Sequence, residues 1–130
     1  MPNVVRIPAA AAGGKMGEAD FYTATTTGTS LEIDFADGYF QRITLAHSIS
    51  TLTFANPPSA NEGKSVVVQF VQDSSGSRTV AFSSASIKFD SGIAPTLSTG
   101  NADIDVIGID AVNDGSTTTY LGYALALDAQ

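Results

Sequence analysis

The chain lacks cysteine and tryptophan and has a single histidine, His47, among its 130 residues. Without cysteine it can form neither a disulfide framework nor a thiolate metal site, and one imidazole with carboxylates is a poor ligand set for zinc. No apolar run approaches the roughly 20 residues that a membrane-spanning helix needs. Pro8 and Gly13-Gly14 interrupt the N-terminus too early for a signal peptide. We therefore expect synthesis in the cytoplasm, no membrane contact, no metal and no other cofactor.

Charge is scarce as well. Charged residues make up 15% of the chain, against a typical quarter, and the formal net charge is −7. The basic residues are scattered singly, at Arg6, Lys15, Arg42, Lys64, Arg78 and Lys88. Because phosphate binding needs clustered lysine and arginine, this pattern argues against a nucleic-acid partner.

What the chain has in abundance is alternation of apolar and polar residues, the period-two pattern of β-strands, from Phe21 onward. Asp37-Gly38 is a hairpin dipeptide and predicts a turn between strands on either side of it. The residues from Asp73 to Ser77 predict a second turn, into a strand over 78–82. Two late strands, over 104–109 and 118–127, are expected to join across Asn113-Asp114-Gly115.

These short strands predict an all-β fold, and the turn signals every eight to twelve residues favour an antiparallel β-sandwich or jelly roll over residues 20–130. Residues 66–71 are apolar on both faces, as expected of a central strand. At this length the chain forms one domain. Pro8 and the Ala-Gly stretch after it set residues 1–19 apart as an N-terminal arm or linker.

The arm carries a short apolar run, Val4, Val5, Arg6 and Ile7. Its residues are too apolar for a free tail, so we predict that they bind a partner by pairing as a strand with a neighbouring chain. The alternative is that they form the first strand of their own sandwich.

Two patterns suggest ligand binding, but each has a simpler explanation. Gly63-Lys64-Ser65 resembles the end of a phosphate loop, but Pro58 stands where that motif needs its first glycine and an apolar strand follows. Four aspartates suggest calcium: Asp103, Asp105, Asp110 and Asp114. An EF-hand is excluded because Val106 and Ile107 occupy the places where ligands would continue, which leaves solvated acids or an ion between subunits.

Catalytic and sugar-binding patterns are equally thin. His47 lies in a predicted turn and no G-x-S-x-G elbow is present, so a small hydrolase lacks its motif. Glu32 and Asp34 alternate on one strand face, as solvated residues do. Tyrosines suited to stacking on a saccharide are equally typical of cross-strand packing pairs; they are Tyr39, Tyr120 and Tyr123.

The order of several segments is more informative than any single motif. Asn56-Pro57-Pro58 precedes the strand Lys64–Phe70, and Gly76-Ser77-Arg78-Thr79-Val80 follows it. Later come Ile87-Lys88-Phe89, the segment Gly92–Ser98 containing Pro95-Thr96-Leu97, and Thr118–Tyr123. This order resembles a β-sandwich module of tailed-bacteriophage virion proteins, found in small head decoration (cement) proteins and in tail fibres. In that module an aspartate stands in the penultimate strand, where this chain has Asp105.

The resemblance implies a non-enzymatic virion structural protein on the capsid surface. Its partners would be the major capsid protein or another virion protein, and the working form a homotrimer. A short chain that starts at Met1 and ends soon after its last strand suits a decoration protein better than a tail fibre. The alternative is a tail-tip or tail-fibre receptor-binding protein that recognises a host surface saccharide.

Overall fold

The computed structural model describes residues 21–129, and the predicted arm therefore lies outside the described residues. Within that range the elements are strands and short 3-10 helices. The strands are β1 (Phe21–Thr25), β2 (Ser30–Asp34), β3 (Phe40–Leu45), β4 (Thr51–Ala55), β5 (Glu62–Gln72), β6 (Ile104–Asn113) and β7 (Thr118–Ala129). The 3-10 helices span Phe35–Asp37, Phe82–Ala85 and Asp90–Gly92. The predicted all-β class is confirmed.

The strands form two sheets. The larger has the order β1-β3-β5-β6-β7, and the smaller pairs β2 with β4. Up to the end of β5 the chain alternates between the two sheets, so successive strands of one sheet are parallel: β1 with β3, β3 with β5, and β2 with β4. Only β5–β6 and β6–β7 are antiparallel.

The prediction of antiparallel pairing throughout is therefore wrong for three pairs, and a jelly roll, which is built from antiparallel strands, is not confirmed. The winding continues irregularly after β5. Val80 forms a parallel bridge to Ile49 beside β4, and the Leu52 N–H donates to the Ser84 hydroxyl at 2.9 Å. The long segment between β5 and β6 thus adds a third, partial turn to the winding.

The hairpin predicted at Asp37-Gly38 is also absent, because β2 and β3 belong to different sheets. The Asp34 carboxylate accepts from the Ala36 N–H at 2.8 Å and starts a 3-10 turn. Gln41, which is 1% exposed, donates from its side-chain amide to the Asp34 carbonyl at 2.7 Å and to the Gly38 carbonyl at 3.2 Å. These polar groups satisfy the backbone where the chain turns a corner between sheets.

The turn predicted over 73–77 is present, since the Gly76 N–H donates to the Asp73 carbonyl, but residues 78–82 do not form the strand predicted after it. A second buried glutamine, Gln72, bonds the chain here. The Gln72 side chain donates to the carbonyls of Arg78, at 2.7 Å, and Ser98, at 2.9 Å, and accepts from the Arg78 N–H at 2.9 Å. It therefore leads the chain away from β5 rather than back along it, and residues 78–82 make only the Val80 bridge.

The predicted late hairpin is confirmed, since β6 and β7 pair across 114–117. The core lies between the two sheets. It combines Ile33 and Leu52 of the smaller sheet with side chains from the inner face of the larger one: Ile43, Leu45, Val66, Val68, Phe70, Ile107, Ile109 and Ala111. Phe82 and Leu97 of the long segment complete it. β5, flanked by β3 and β6, is the predicted central strand.

Candidate functional site

The side of the larger sheet that faces away from the core presents a row of apolar side chains. The strand register aligns five residues, one from each strand: Phe21, Phe40, Val67, Gly108 and Tyr123. Side chains at directly paired positions project from the same face of a sheet. Phe21, Phe40 and Tyr123 are 58%, 41% and 40% exposed. We call these five positions the aromatic row, after the rings of Phe21, Phe40 and Tyr123.

Tyr39 extends this row at the start of β3. Its ring packs edge-on against that of Phe40, with centroids 4.7 Å apart. Tyr39 is 44% exposed, and its phenol lies close enough to that of Tyr123 to influence its ionisation. Tyr39 and Phe40 therefore form an exposed aromatic pair on one side of the row, and Phe21 and Tyr123 lie at its two ends.

A small polar network borders the row. The Asp110 carboxylate accepts from the Ser65 hydroxyl at 2.7 Å and from the Tyr123 hydroxyl at 3.1 Å. Burial raises the pKa of the Tyr123 phenol above its ordinary value, and the hydrogen bond to Asp110 raises it further. The network holds the Tyr123 ring in one place.

Gly108 makes this placement possible. A Cβ at residue 108 would overlap the Tyr123 ring, so the glycine lets that ring lie flat across β6. Glycine in a strand interior often marks such a close approach.

The rest of the outer face of the larger sheet carries little charge. Arg42 and Asp110 lie on it. The ion pair found in the described part of the chain, Arg78–Asp73 at 2.9 Å, lies in the segment after β5.

A groove adjoins one end of the row. It has a volume of about 660 Å³ and lies between residues 89–96 and β7. Its walls include Ile93, Ala94 and Pro95 on the loop side and Gly122, Tyr123 and Ala124 on the strand side. Ile93 is 73% exposed, the most exposed large apolar residue among those described.

The three tyrosines considered for sugar stacking separate into two environments. Tyr39 and Tyr123 are exposed, whereas Tyr120 points inwards and stacks on Phe54, with centroids 4.3 Å apart and planes 18° apart. Burial raises the pKa of the Tyr120 phenol. Tyr120 packs against the core and does not belong to the aromatic row.

The four aspartates considered for calcium lie apart. Asp105 is buried, Asp110 is on the outer face, Asp103 accepts from the Gly100 N–H, and Asp114 accepts from two N–H groups of its own turn. Over residues 21–129 no three histidine, cysteine or acidic side chains form a group that could hold a metal ion.

Lys64, Ser65 and His47 take the structural roles expected of them. Lys64 and Ser65 lie in β5, and the Lys64 ammonium donates to the Asn56 carbonyl at 3.0 Å. His47 is exposed in the bend between β3 and β4. Val4, Val5, Arg6 and Ile7 fall outside the described residues.

The aromatic row was not predicted from the sequence, because its residues become neighbours only when the strands of the larger sheet pair. Neighbouring members of the row are between 15 and 41 residues apart in the chain. Of the four strand pairings that align them, only that of β6 with β7 was predicted, and the register of the other three does not follow from alternation. A usable signal was present in the aromatic residues at solvent-facing positions of β1, β3 and β7.

Comparisons with protein-family models, with curated proteins and with solved structures yield no significant match. No helix within residues 21–129 is long and apolar enough to cross a membrane.

Proposed function

We propose that this chain is a non-enzymatic structural protein of a bacteriophage virion, a capsid decoration protein that binds the major capsid protein lattice at the capsid surface. The observation that carries the proposal is the aromatic row with Tyr39: four exposed aromatic rings lie at or beside the register positions of one row, with the partly exposed Val67 and the buried Gly108 between them. Contiguous exposed apolar patches rimmed by polar groups mark protein interfaces, and tyrosine and phenylalanine are enriched there.

The proposal includes a homotrimer. Three copies, each with a modest apolar contact, would together bind far more tightly than one, because the second and third contacts form at high effective concentration. We also propose that the fold is a modified form of the β-sandwich of the phage module. In this form the smaller sheet packs on the larger one around one core, and the chain winds with parallel strands up to β5.

The predicted arm is part of this function. We propose that Val4, Val5, Arg6 and Ile7 pair as a strand with a neighbouring chain and anchor the subunit. Backbone hydrogen bonds would supply the affinity and the alternating side chains the register.

Binding to heads that lack the protein tests the interface. Phe40→Ser removes an exposed ring from the aromatic row without touching the core. Val112→Ser is the matched control, because Val112 is 47% exposed and lies outside the row. Purified wild-type protein and the control should bind the heads saturably, and Phe40→Ser should bind at least about tenfold more weakly, as expected for a central aromatic contact. Equal binding by all three proteins would remove the aromatic row from the interface.

One observation favours a second candidate, recognition of a host surface saccharide by a tail-tip or tail-fibre protein. The exposed Tyr123 ring lies next to Asp110 and Ser65, a combination of an aromatic face and hydrogen-bonding groups that suits a sugar ring. A calorimetric titration with host envelope polysaccharide distinguishes the two functions. We expect no heat of binding, whereas saturable binding that is lost in Tyr123→Ala would favour the saccharide.

A further inference from the structure

Among residues 21–129, the outer edge of β7 is paired at one bridge. The Lys88 N–H donates to the Tyr120 carbonyl at 2.8 Å, and the Gly122 N–H donates to the Lys88 carbonyl at 2.9 Å, which makes one parallel bridge. The chain then turns away through the 3-10 helix Asp90–Gly92, where Ser91 and Gly92 have positive φ angles of 54° and 72°. Beyond this bridge the edge of β7 faces the groove.

The groove has the form of a strand-acceptor site. Backbone groups along a strand edge alternate in direction, so the Gly122 carbonyl and the Ala124 N–H point to the side on which Lys88 is bonded. An extended segment laid in the groove could continue this ladder. Ile93, Ala94 and Pro95 on the opposite wall would contact its apolar side chains. Strand addition of this kind combines backbone hydrogen bonds with side-chain pockets.

We infer that the β7 groove receives residues 3–7 of a neighbouring copy of this chain. Asn3-Val4-Val5-Arg6-Ile7 is apolar and β-branched, and in an extended segment Val5 and Ile7 would share the face turned to Ile93 and Pro95. The inference rests on the part of the proposed function that assigns these residues to strand pairing, and it names their acceptor.

Charge supports the same occupant. Residues 1–16 contain Arg6 and Lys15 and no acidic residue, whereas residues 21–130 contain four basic and eleven acidic residues, a net charge of −7. Asp90 lies in the groove itself. A positively charged segment is therefore attracted to the domain of another copy even though two whole copies repel each other.

The connecting segment is longer than the larger sheet is wide. Residues 8–20 are thirteen residues, and a fully extended chain of that length spans up to about 45 Å. The larger sheet is about 19 Å wide across five strands. Since β1 and β7 form its opposite edges, each copy offers a donor at one edge and an acceptor at the other. This head-to-tail arrangement can close into a ring.

Disulfide trapping on the full-length protein tests the inference, because the native chain has no cysteine. A tagged Val5→Cys protein is mixed with an untagged Ile93→Cys protein, so that a mixed disulfide can form only between copies. Val112→Cys replaces Ile93→Cys in the control mixture, since Val112 is also an exposed apolar residue. At about 10 µM protein, docking raises the effective thiol concentration to about 1 mM, so the mixed disulfide should form on the order of a hundredfold faster than in the control.

Equal rates in the two mixtures would overturn the inference. So would a double variant, Val5→Cys with Ile93→Cys, that closes the disulfide only within one chain. A backbone test is independent of trapping. Ala124→Pro removes one edge N–H, and proline is tolerated at such positions in edge strands. It should weaken self-association measured by sedimentation while far-ultraviolet circular dichroism stays unchanged. Unchanged self-association in this folded variant would count against the groove.

The failure of this inference and the failure of the proposed function have different signatures. If the copies are not trapped but deletion of residues 1–14 abolishes binding to heads, the acceptor is a shell protein and the proposed function stands. If the copies are trapped but no head binds the protein, strand exchange stands without the virion role.

Discussion

At the scale of single residues, buried polar side chains decide where the chain leaves one sheet for the other. Gln41 and Gln72 occupy inward-facing strand positions and bond the backbone at two corners. Asp105, 1% exposed, does the same for a third place, where the long segment meets the end of β7. Sequence alternation marks these residues only as breaks in an apolar face, which is why their role was not predicted.

Asp105 provides the sharpest stability prediction. Its carboxylate accepts from the Ser98 N–H at 2.8 Å, the Ser98 hydroxyl at 2.6 Å and the Asp128 N–H at 2.9 Å. Asp105→Asn replaces one of the two acceptor oxygens by an NH2 group, which leaves at least one of these N–H donors facing another donor, so we expect a loss of about 1–3 kcal/mol in the free energy of unfolding. Urea denaturation measures it. Asp37→Asn, an exposed control, should change stability by less than about 0.5 kcal/mol. Equal stability of the two variants would show that Asp105 does not hold the segment.

Asp73 provides a pH prediction. Its hydrogen bond with Arg78 lowers the pKa of the carboxyl below 3.8, and the N–H groups of Gly76 and Ser75 add to the effect. Because the folded pKa is lower than the unfolded one, this contribution to stability is complete above pH 3.8 and disappears as the pH falls through the folded value.

The measurement is denaturant unfolding of wild type and Asp73→Asn at several pH values. The variant should be less stable near neutral pH, and the difference should shrink as the pH falls below about 4. A difference that is independent of pH would mean that the charge of Asp73 is unimportant. Asp34 and Asp114, whose pKa values are also lowered by hydrogen bonds, should behave in the same way.

At the scale of elements, the strands were predictable and most of their pairing was not. Alternation located β2, β3 and β4 because their more buried residues stand at every second position. Pairing of β6 with β7 followed from the turn residues Asn113-Asp114-Gly115. The parallel pairs join strands that are not consecutive in the chain, and no local turn signal encodes them. The hairpin dipeptide Asp37-Gly38 was misleading because Asp34 turns the chain earlier.

The arm is a separate element in our account, and its deletion tests this. The core residues within the described range lie between Ile33 and Ala111, and β1 is mostly exposed. Removal of residues 1–14 should therefore leave thermal unfolding nearly unchanged while head binding or self-association falls sharply. If the truncated protein fails to fold, these residues belong to their own core, the alternative left open by the sequence.

At the scale of the whole molecule, the candidate interface is a property of the assembled sheet. The sequence suggested either sugar stacking or cross-strand packing for Tyr39, Tyr120 and Tyr123 alike, and the structure places Tyr120 in the core. Phe21 and Phe40 had no assigned role until the register placed them in one row. The partner follows even less from the sequence, since the order of segments from Asn56 to Tyr123 supports a virion role only through resemblance.

Fractionation of disrupted virions tests the central claim, a structural role on the capsid. Heads and tails are separated by sedimentation, and mass spectrometry quantifies this chain against the major capsid protein and a tail protein. We expect the chain to sediment with heads at a fixed ratio to the major capsid protein. Its recovery with tails would favour saccharide recognition at the tail, and its absence from both fractions would contradict a virion role altogether.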